Sequence, residues 1–496
     1  MRKDEALLES NHSDSQLSAP KPEASIFSGA RWTAASQAGK QVIQFIVSVV
    51  LARLLAPEDF GLMAMALVVI NFIDIFRDLG TTASIVQRKE LSAELLSSLF
   101  FLNVIFGLLT GGSVILAAPV VAWLYNNAAL APILRVLGLT FVISSLGLAK
   151  KALLQRNMSF NSLARVELLA AAVNGGVAIA LAGLGWRVWA LVAGALVSAI
   201  ASTLLFWLAV PWRPQWRFQW SNIKEIFQFS LNLTGAQIFN YFIFNADQLI
   251  IGRFLGATSL GLYALAQRIL MTPVLFITQV LIRVLFPAFS RIQDDDTQIR
   301  QQYLRACGGI AMVSFPLVAV MCILARPLIL VVFSAKWSGT IPLIMILAPI
   351  GVFQSIATTV GVIYMVKGRT DWLLWWQILS GGLITAGFFG GLAWGVNGVA
   401  SGYAIILFAL AYPAFAIPFR LIGLKFSDLL STLRPYAMAT FLMAVQVLIC
   451  RLALEHFGYG INTILIAGMI IGAIAYAAII LFMHPVALTD FRKMLF

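Results

Sequence analysis

Long apolar runs, each ended by a short polar segment, recur along the whole chain. A helix needs about 20 apolar residues to cross the hydrocarbon core of a bilayer. On that scale the sequence predicts about fourteen spans, at 34–55, 60–80, 96–124, 130–149, 164–184, 186–211, 228–251, 259–286, 306–333, 338–366, 371–393, 396–419, 435–455 and 461–484. The first and eighth are interrupted by charge, at Lys40, Arg268 and Arg283. The strands of a membrane barrel would read as short alternating segments instead. The pattern predicts an all-α polytopic membrane protein.

Composition narrows the class. Of 496 residues, 60% are hydrophobic and 11% charged, against about 25% charged in soluble domains. Mean hydropathy is +0.90. That leaves too few charges to coat soluble domains, which argues against a soluble enzyme, a secreted disulfide scaffold and a disordered chain. The net charge of +13 reads as the positive bias of cytoplasmic loops rather than a nucleic-acid footprint. Cys307, Cys322 and Cys450 lie in or beside apolar stretches and read as small core residues. His12, His456 and His484 are too scattered for a metal or triad site, and no cofactor is expected. Residues 1–25 are polar, lack a signal-peptide core and read as a disordered cytoplasmic tail.

Loop charge fixes an orientation. With the N-terminus inside and the spans alternating, 24 Lys and Arg fall on the cytoplasmic side and 7 opposite, and the other three are Lys40, Arg268 and Arg283. This predicts both termini in the cytoplasm and an even number of spans. Most tryptophans, Trp123, Trp186, Trp337 and Trp375 among them, flank spans at headgroup level, whereas Trp207 reads as helix packing.

An internal repeat divides the chain. Residues 51–76 align with 251–276 at an offset of 200 without a gap, and Arg53/Arg253, Leu55/Leu255, Gly61/Gly261, Leu62/Leu262, Ala64/Ala264, Ala66/Ala266 and Phe76/Phe276 are identical. Two hundred residues hold six spans, an even number, so the copies insert in the same sense as parallel lobes. The expected organisation is a six-helix N-lobe over 26–220, a six-helix C-lobe over 221–420, and two extra helices with a cytoplasmic C-terminus over 421–496.

Three segments carry a family resemblance. The stretch ARLLAPEDFGLMAMA resembles the turn between the first two helices of polysaccharide flippases. DLGTTASIVQRKEL is similar to the segment after their second helix, and NADQLIIGRFLGATSLGLYALAQRI to the start of their second lobe. These proteins form the polysaccharide-transporter branch of the multidrug/oligosaccharidyl-lipid/polysaccharide exporter superfamily, and the resemblance covers roughly 26–430. It implies flipping of a polyprenyl-diphosphate-linked oligosaccharide repeat unit across the inner membrane, for exopolysaccharide or lipopolysaccharide assembly, by alternating access. It also implies a polysaccharide polymerase and chain-length or export proteins as partners. A drug or small-molecule antiporter on the same architecture is the alternative, and a membrane scaffold or polymerase a more distant one.

Moving a glycan needs no bond chemistry, only a polar chamber, so no catalytic residue is expected. Fixed cations in a low-dielectric cavity would draw the anionic head group. Charge within a span is costly and marks a pathway, which nominates Lys40 and Arg268. The repeat-matched Arg53 and Arg253, near the outer mouth, either join that cavity or cap helix carbonyls. Asp247, in FNADQLIIG, can bind a proton or sodium ion, or pair with a cation such as Arg268. Asp74 is the second candidate for coupling, although Asp74, Arg77 and Asp78 also read as a surface cluster, as does Glu167 near Arg165. Asp294, Asp295 and Asp296 read as a solvated loop. Pro273, Pro287 and Pro316 predict kinks in the second lobe, and GGLITAGFFGGLAWGVNG predicts close helix packing. No phosphate-binding loop of the GxxxxGK kind is present, so energy is expected from an ion gradient, from downhill substrate flow or from a partner.

Overall fold

A computed structural model describes residues 24–78, 81–87, 91–216 and 224–483. Most of the expected tail and the end of the chain after 483 lie outside the described residues. Among those described, helices dominate and there is no strand. Eleven helical stretches are long and apolar enough to cross a membrane. Two of them, Asn240–Leu275 and Thr370–Phe419, each contain a helix break, and the first long helix is not among the eleven. The arrangement is compatible with the fourteen spans expected.

The chain forms two compact units, Met1–Asn245 and Ala246–Phe496. The first contains α1 (Ala24–Leu54), α2 (Pro57–Asp78), the short α3 (Thr81–Gln87), α4 (Ala93–Leu124), α5 (Leu130–Arg156), α6 (Phe160–Gly183) and α7 (Val188–Ala209). The second begins within α8 (Lys224–Arg291). It continues through α9 (Asp296–Ile323), α10 (Ala325–Leu328), α11 (Thr340–Ala357), α12 (Val360–Val366), α13 (Thr370–Gly391), α14 (Gly395–Ala409), α15 (Ala411–Phe419), α16 (Phe426–His456) and α17 (Ile461–Met483).

One pairing scheme recurs in both units. In the first, α4 packs on α5, α5 on α7, α6 on α7 and α1 on α6. In the second, α9 packs on α11, α11 on α14 and α13 on α14, while Phe254 of α8 meets Phe389 of α13 edge-on at 5.9 Å. The last pair, α16 and α17, pack on each other and on α9.

The repeat register is visible in the backbone. The first helix of unit one ends at Leu54 and the next begins at Pro57. At the matching position α8 breaks at Gly256, with φ 81° and ψ 179°, a conformation essentially confined to glycine. The first turn is held differently: the Asp59 carboxylate accepts the Ala56 amide at 3.0 Å. In α8 the non-helical backbone is at Gly256 and not at Pro273 or Pro287. The turn at Gly256 is thus the one break in helical backbone within α8.

Polar residues that read as loop decoration tie helix ends together. Asp295 caps α9 by accepting the Thr297 and Gln298 amides at 3.0 Å. Asp296 pairs with Lys367 at 2.6 Å, so the acidic loop, exposed as expected, also ties two helix ends together. Lys150 is fully buried. Its Nζ donates to the carbonyls of Val210 and Trp212 at 2.7 Å and lies 4.2 Å from the Trp207 ring centre. The chain leaving α7 is thereby strapped to α5. Trp123, Trp186 and Trp375 are exposed, as residues at a headgroup layer would be, whereas Trp337 is wholly buried and belongs to the core. The three cysteines are free.

The glycine run packs as expected. A Cβ on Gly391 would stand 2.1 Å from the Gly398 carbonyl oxygen, and one on Gly402 2.2 Å from that of Gly387. Two small-xxx-small faces meet backbone to backbone between α13 and α14.

Candidate functional site

Five helices of the first unit line a polar cavity of about 320 Å³. Lys40 enters from α1, Arg77 from the last turn of α2, Lys151 from α5 and Glu167 from α6, with Asn174 and Ser198 deeper along α6 and α7. The helix ends explain the cluster: α2 and α5 finish near it and α6 starts near it, so loop-proximal charges converge there. Arg77 pairs with Asp74 one turn back at 3.0 Å and reaches Ser144 Oγ at 3.3 Å. Lys151 pairs with Glu167 at 3.3 Å. No ion-pair partner faces Lys40 among the described residues. Three cations and one carboxylate, Glu167, thus line the cavity, with Asp74 outside the lining as the partner of Arg77, and Lys40 is the lining cation without an ion-pair partner among the described residues. Arg77 Nε is buried without a hydrogen-bond partner among the described residues, a donor that costs about 1–3 kcal/mol to leave unmet.

The second unit holds a polar cluster of opposite sign. Asp247 is buried on the first limb of α8. Its Oδ2 accepts from Tyr263 Oη at 3.0 Å and Gln267 Nε2 at 2.7 Å, both on the second limb, and its Oδ1 accepts the Gln248 amide at 2.7 Å. The Gly256 turn folds the two limbs so that residues 16 and 20 positions apart meet. Tyr403 of α14 accepts from Gln354 of α11 and lies within electrostatic range of Asp247. Among the described residues the hydrogen-bond partners of the carboxylate are all neutral donors. They favour its charged form and leave the negative charge without a cationic partner among the described residues.

The other expected residues separate from these two places. Arg268, next to Gln267 in sequence, is exposed and makes no ion pair with Asp247 among the described residues. Lys40 and Arg268 fall in different compact units. Arg53 and Arg253 are exposed three residues before the two matched turns, at helix C-terminal ends, the position that favours cations. Asp74 is the surface partner of Arg77. Glu167 pairs with Lys151 rather than with the nearby Arg165, and it lines the cavity. Sequence reasoning missed Arg77, Lys151 and Glu167 as cavity residues because each sits at a helix end, where solvated charge is the ordinary case. The signal available was that three charged helix ends adjoin one another in the lobe topology.

Two lobes of one helix-pairing scheme, with buried polar sites inside apolar helices, define a multi-pass membrane protein of the two-lobe exporter fold. Among solved structures, the lipid II flippase MurJ in its inward closed conformation superposes with a TM-score of 0.70 at 13% identity, over 90% of this chain and 97% of that one. An inward-facing multidrug-resistance transporter of the MATE family gives 0.61 at 17%, over 77% and 94%. Both are likenesses of fold. Residues 50–342 match the family described as polysaccharide biosynthesis protein, and the chain belongs to that family. It is 30% identical over 382 residues to the lipopolysaccharide biosynthesis protein WzxC of Escherichia coli (strain K12), covering 76% of this chain and 78% of WzxC. To the teichuronic acid biosynthesis protein TuaB of Bacillus subtilis (strain 168) it is 28% identical over 465 residues, 93% and 96% of the two chains. To the succinoglycan biosynthesis transport protein ExoT of Rhizobium meliloti (strain 1021) it is 28% identical over 466 residues, 91% of each.

Proposed function

We propose that this protein is a flippase that moves a polyprenyl-diphosphate-linked oligosaccharide repeat unit across the cytoplasmic membrane by alternating access. The observation that carries the reading is the first-unit cavity, where Lys40, with no ion-pair partner among the described residues, offers an anionic head group a site between apolar helices. A charge pair 4 Å apart is worth about 4 kcal/mol at an effective dielectric constant of 20, enough to load a diphosphate or acidic sugar while the lipid tail stays in the bilayer. Family membership and relatives named for polysaccharide assembly support the same substrate class. The antiporter alternative rests on fold alone.

In this reading Asp247 takes up a proton or sodium ion and couples its movement to the lobe's rearrangement. Arg268, Arg53 and Arg253 guide the head group near the membrane faces, and Asp74 tunes Arg77. Both termini lie in the cytoplasm, following the loop-charge bias. A polymerase and chain-length or export proteins consume the product, and no cofactor takes part.

The test uses right-side-out spheroplasts of a deletion strain and its complemented parent. An impermeant glycan-modifying enzyme is added, and labelling of the polyprenyl-linked repeat unit is read out. Labelling that depends on this protein is the expected result. Equal labelling in both strains, with no redundant transporter present, overturns the reading.

A further inference from the structure

We infer that Glu167 is a built-in counter-anion: it occupies Lys151 in the resting cavity, is displaced by the incoming acidic head group, and re-pairs to expel it. This deepens the flippase reading and rests on it. The geometry divides the cavity's cations into three conditions. Arg77 is held by Asp74 at 3.0 Å on its own helix, an i,i+3 pair whose carboxylate lies outside the cavity lining. Lys40 has no ion-pair partner among the described residues. Lys151 is held by Glu167 at 3.3 Å from a different helix. Both members of that pair are partly accessible, with side-chain exposures of 37% and 22%, and both line the cavity together with Lys40. An exposed cross-helix pair is worth about 0–1 kcal/mol, so a ligand bearing two charges can break it at small cost.

A single negative charge is satisfied by Lys40 alone. A ligand with two adjacent charges, such as a diphosphate or a phosphate beside a uronic acid, gains Lys151 as a further contact by taking it from Glu167. The carboxylate thereby selects for multiply charged head groups, and it also limits how tightly they bind, so that the site can empty. A cavity with Lys40 and Lys151 both free would load well and release slowly.

The experiment uses the full chain in nanodiscs and farnesyl diphosphate as the probe, with farnesol as the uncharged control and binding followed by intrinsic tryptophan fluorescence. E167Q is expected to bind the diphosphate about tenfold more tightly than the wild type, to leave farnesol binding unchanged, and to flip the repeat unit more slowly in spheroplasts. K151Q is expected to bind more weakly, and K151Q/E167Q to return toward the wild type. If K40A weakens diphosphate binding but E167Q does not tighten it, the counter-anion inference is overturned and the flippase site stands. If the wild type does not distinguish diphosphate from farnesol, the anionic-head-group site itself fails. Should E167Q not fold, K151Q/E167Q compared with K151Q decides: equal affinities overturn the inference, and tighter binding by the double variant supports it.

Discussion

Replacing Gly391 with alanine adds one methyl group where α13 meets α14, and its carbon would stand 2.1 Å from the Gly398 carbonyl oxygen. Carbon–oxygen contacts settle at about 3.3–3.6 Å, so the helices must part by roughly 1 Å. The obstacle is backbone, which cannot rotate away as a side chain can. Parting the helices also loosens the reciprocal contact one turn on, where Gly402 faces Gly387. Overpacking of this kind costs about 1–3 kcal/mol, equivalent to a fall of about 5 °C in the melting midpoint of a unit this size. The control lies next door. A Cβ on Gly390 meets nothing within 4 Å, so Gly390→Ala adds the same methyl at no steric cost. The assay is thermal unfolding of detergent-solubilised protein, followed by size-exclusion fluorescence, with the two variants side by side. Gly391→Ala melting within 1 °C or so of Gly390→Ala would refute backbone-to-backbone packing as the basis of this helix pair.

Three further outcomes follow from the same geometry. Lys40→Ala and Asp247→Asn should each cut polymer export at least several-fold at normal protein level, measured as cell-surface polysaccharide against immunoblot; unchanged export by both removes these residues from the mechanism. Lys150→Met should lower the thermal midpoint by several degrees, because two buried carbonyl acceptors lose their donor at about 1–3 kcal/mol each, and a midpoint equal to wild type counts against the strap on the chain leaving α7. Asp59→Ala removes the carboxylate that accepts the Ala56 amide at 3.0 Å and meets Arg187 Nε at 3.4 Å. A loss of about 1–2 kcal/mol is expected, read by denaturant or thermal melts, and a loss below half that rules out capping as its role.

The fold was largely legible because a bilayer imposes its own code. Runs of about 20 apolar residues can only be helices that satisfy their own backbones, and the 200-residue offset carried the repeat register to the turn where Gly256 breaks α8. Asp247 was legible for a related reason, since a carboxylate among apolar neighbours must find donors, and Tyr263 and Gln267 supply them. Lys151 and Glu167 were not, because their meaning depends on which helix ends adjoin across 16 residues of turn and helix. Trp337 misled for the converse reason. Its position at a span end suits a headgroup anchor, yet the π-helical and 3-10 turns from Ile329 to Trp337 carry it into the core.

The matched turns at Ala56 and Gly256 have an evolutionary consequence. In a symmetric homodimer every residue gained on one subunit is gained on both, so a cation acquired for a cavity would appear twice, as would a buried acid. Fusing two copies in one chain lifts that constraint. Position 247, an aspartate in the second copy, is matched by Val47 in the first, and Lys40 is matched by Asn240. Each half is thereby free to carry its own charge, Lys40 in one and Asp247 in the other, without a penalty in its twin.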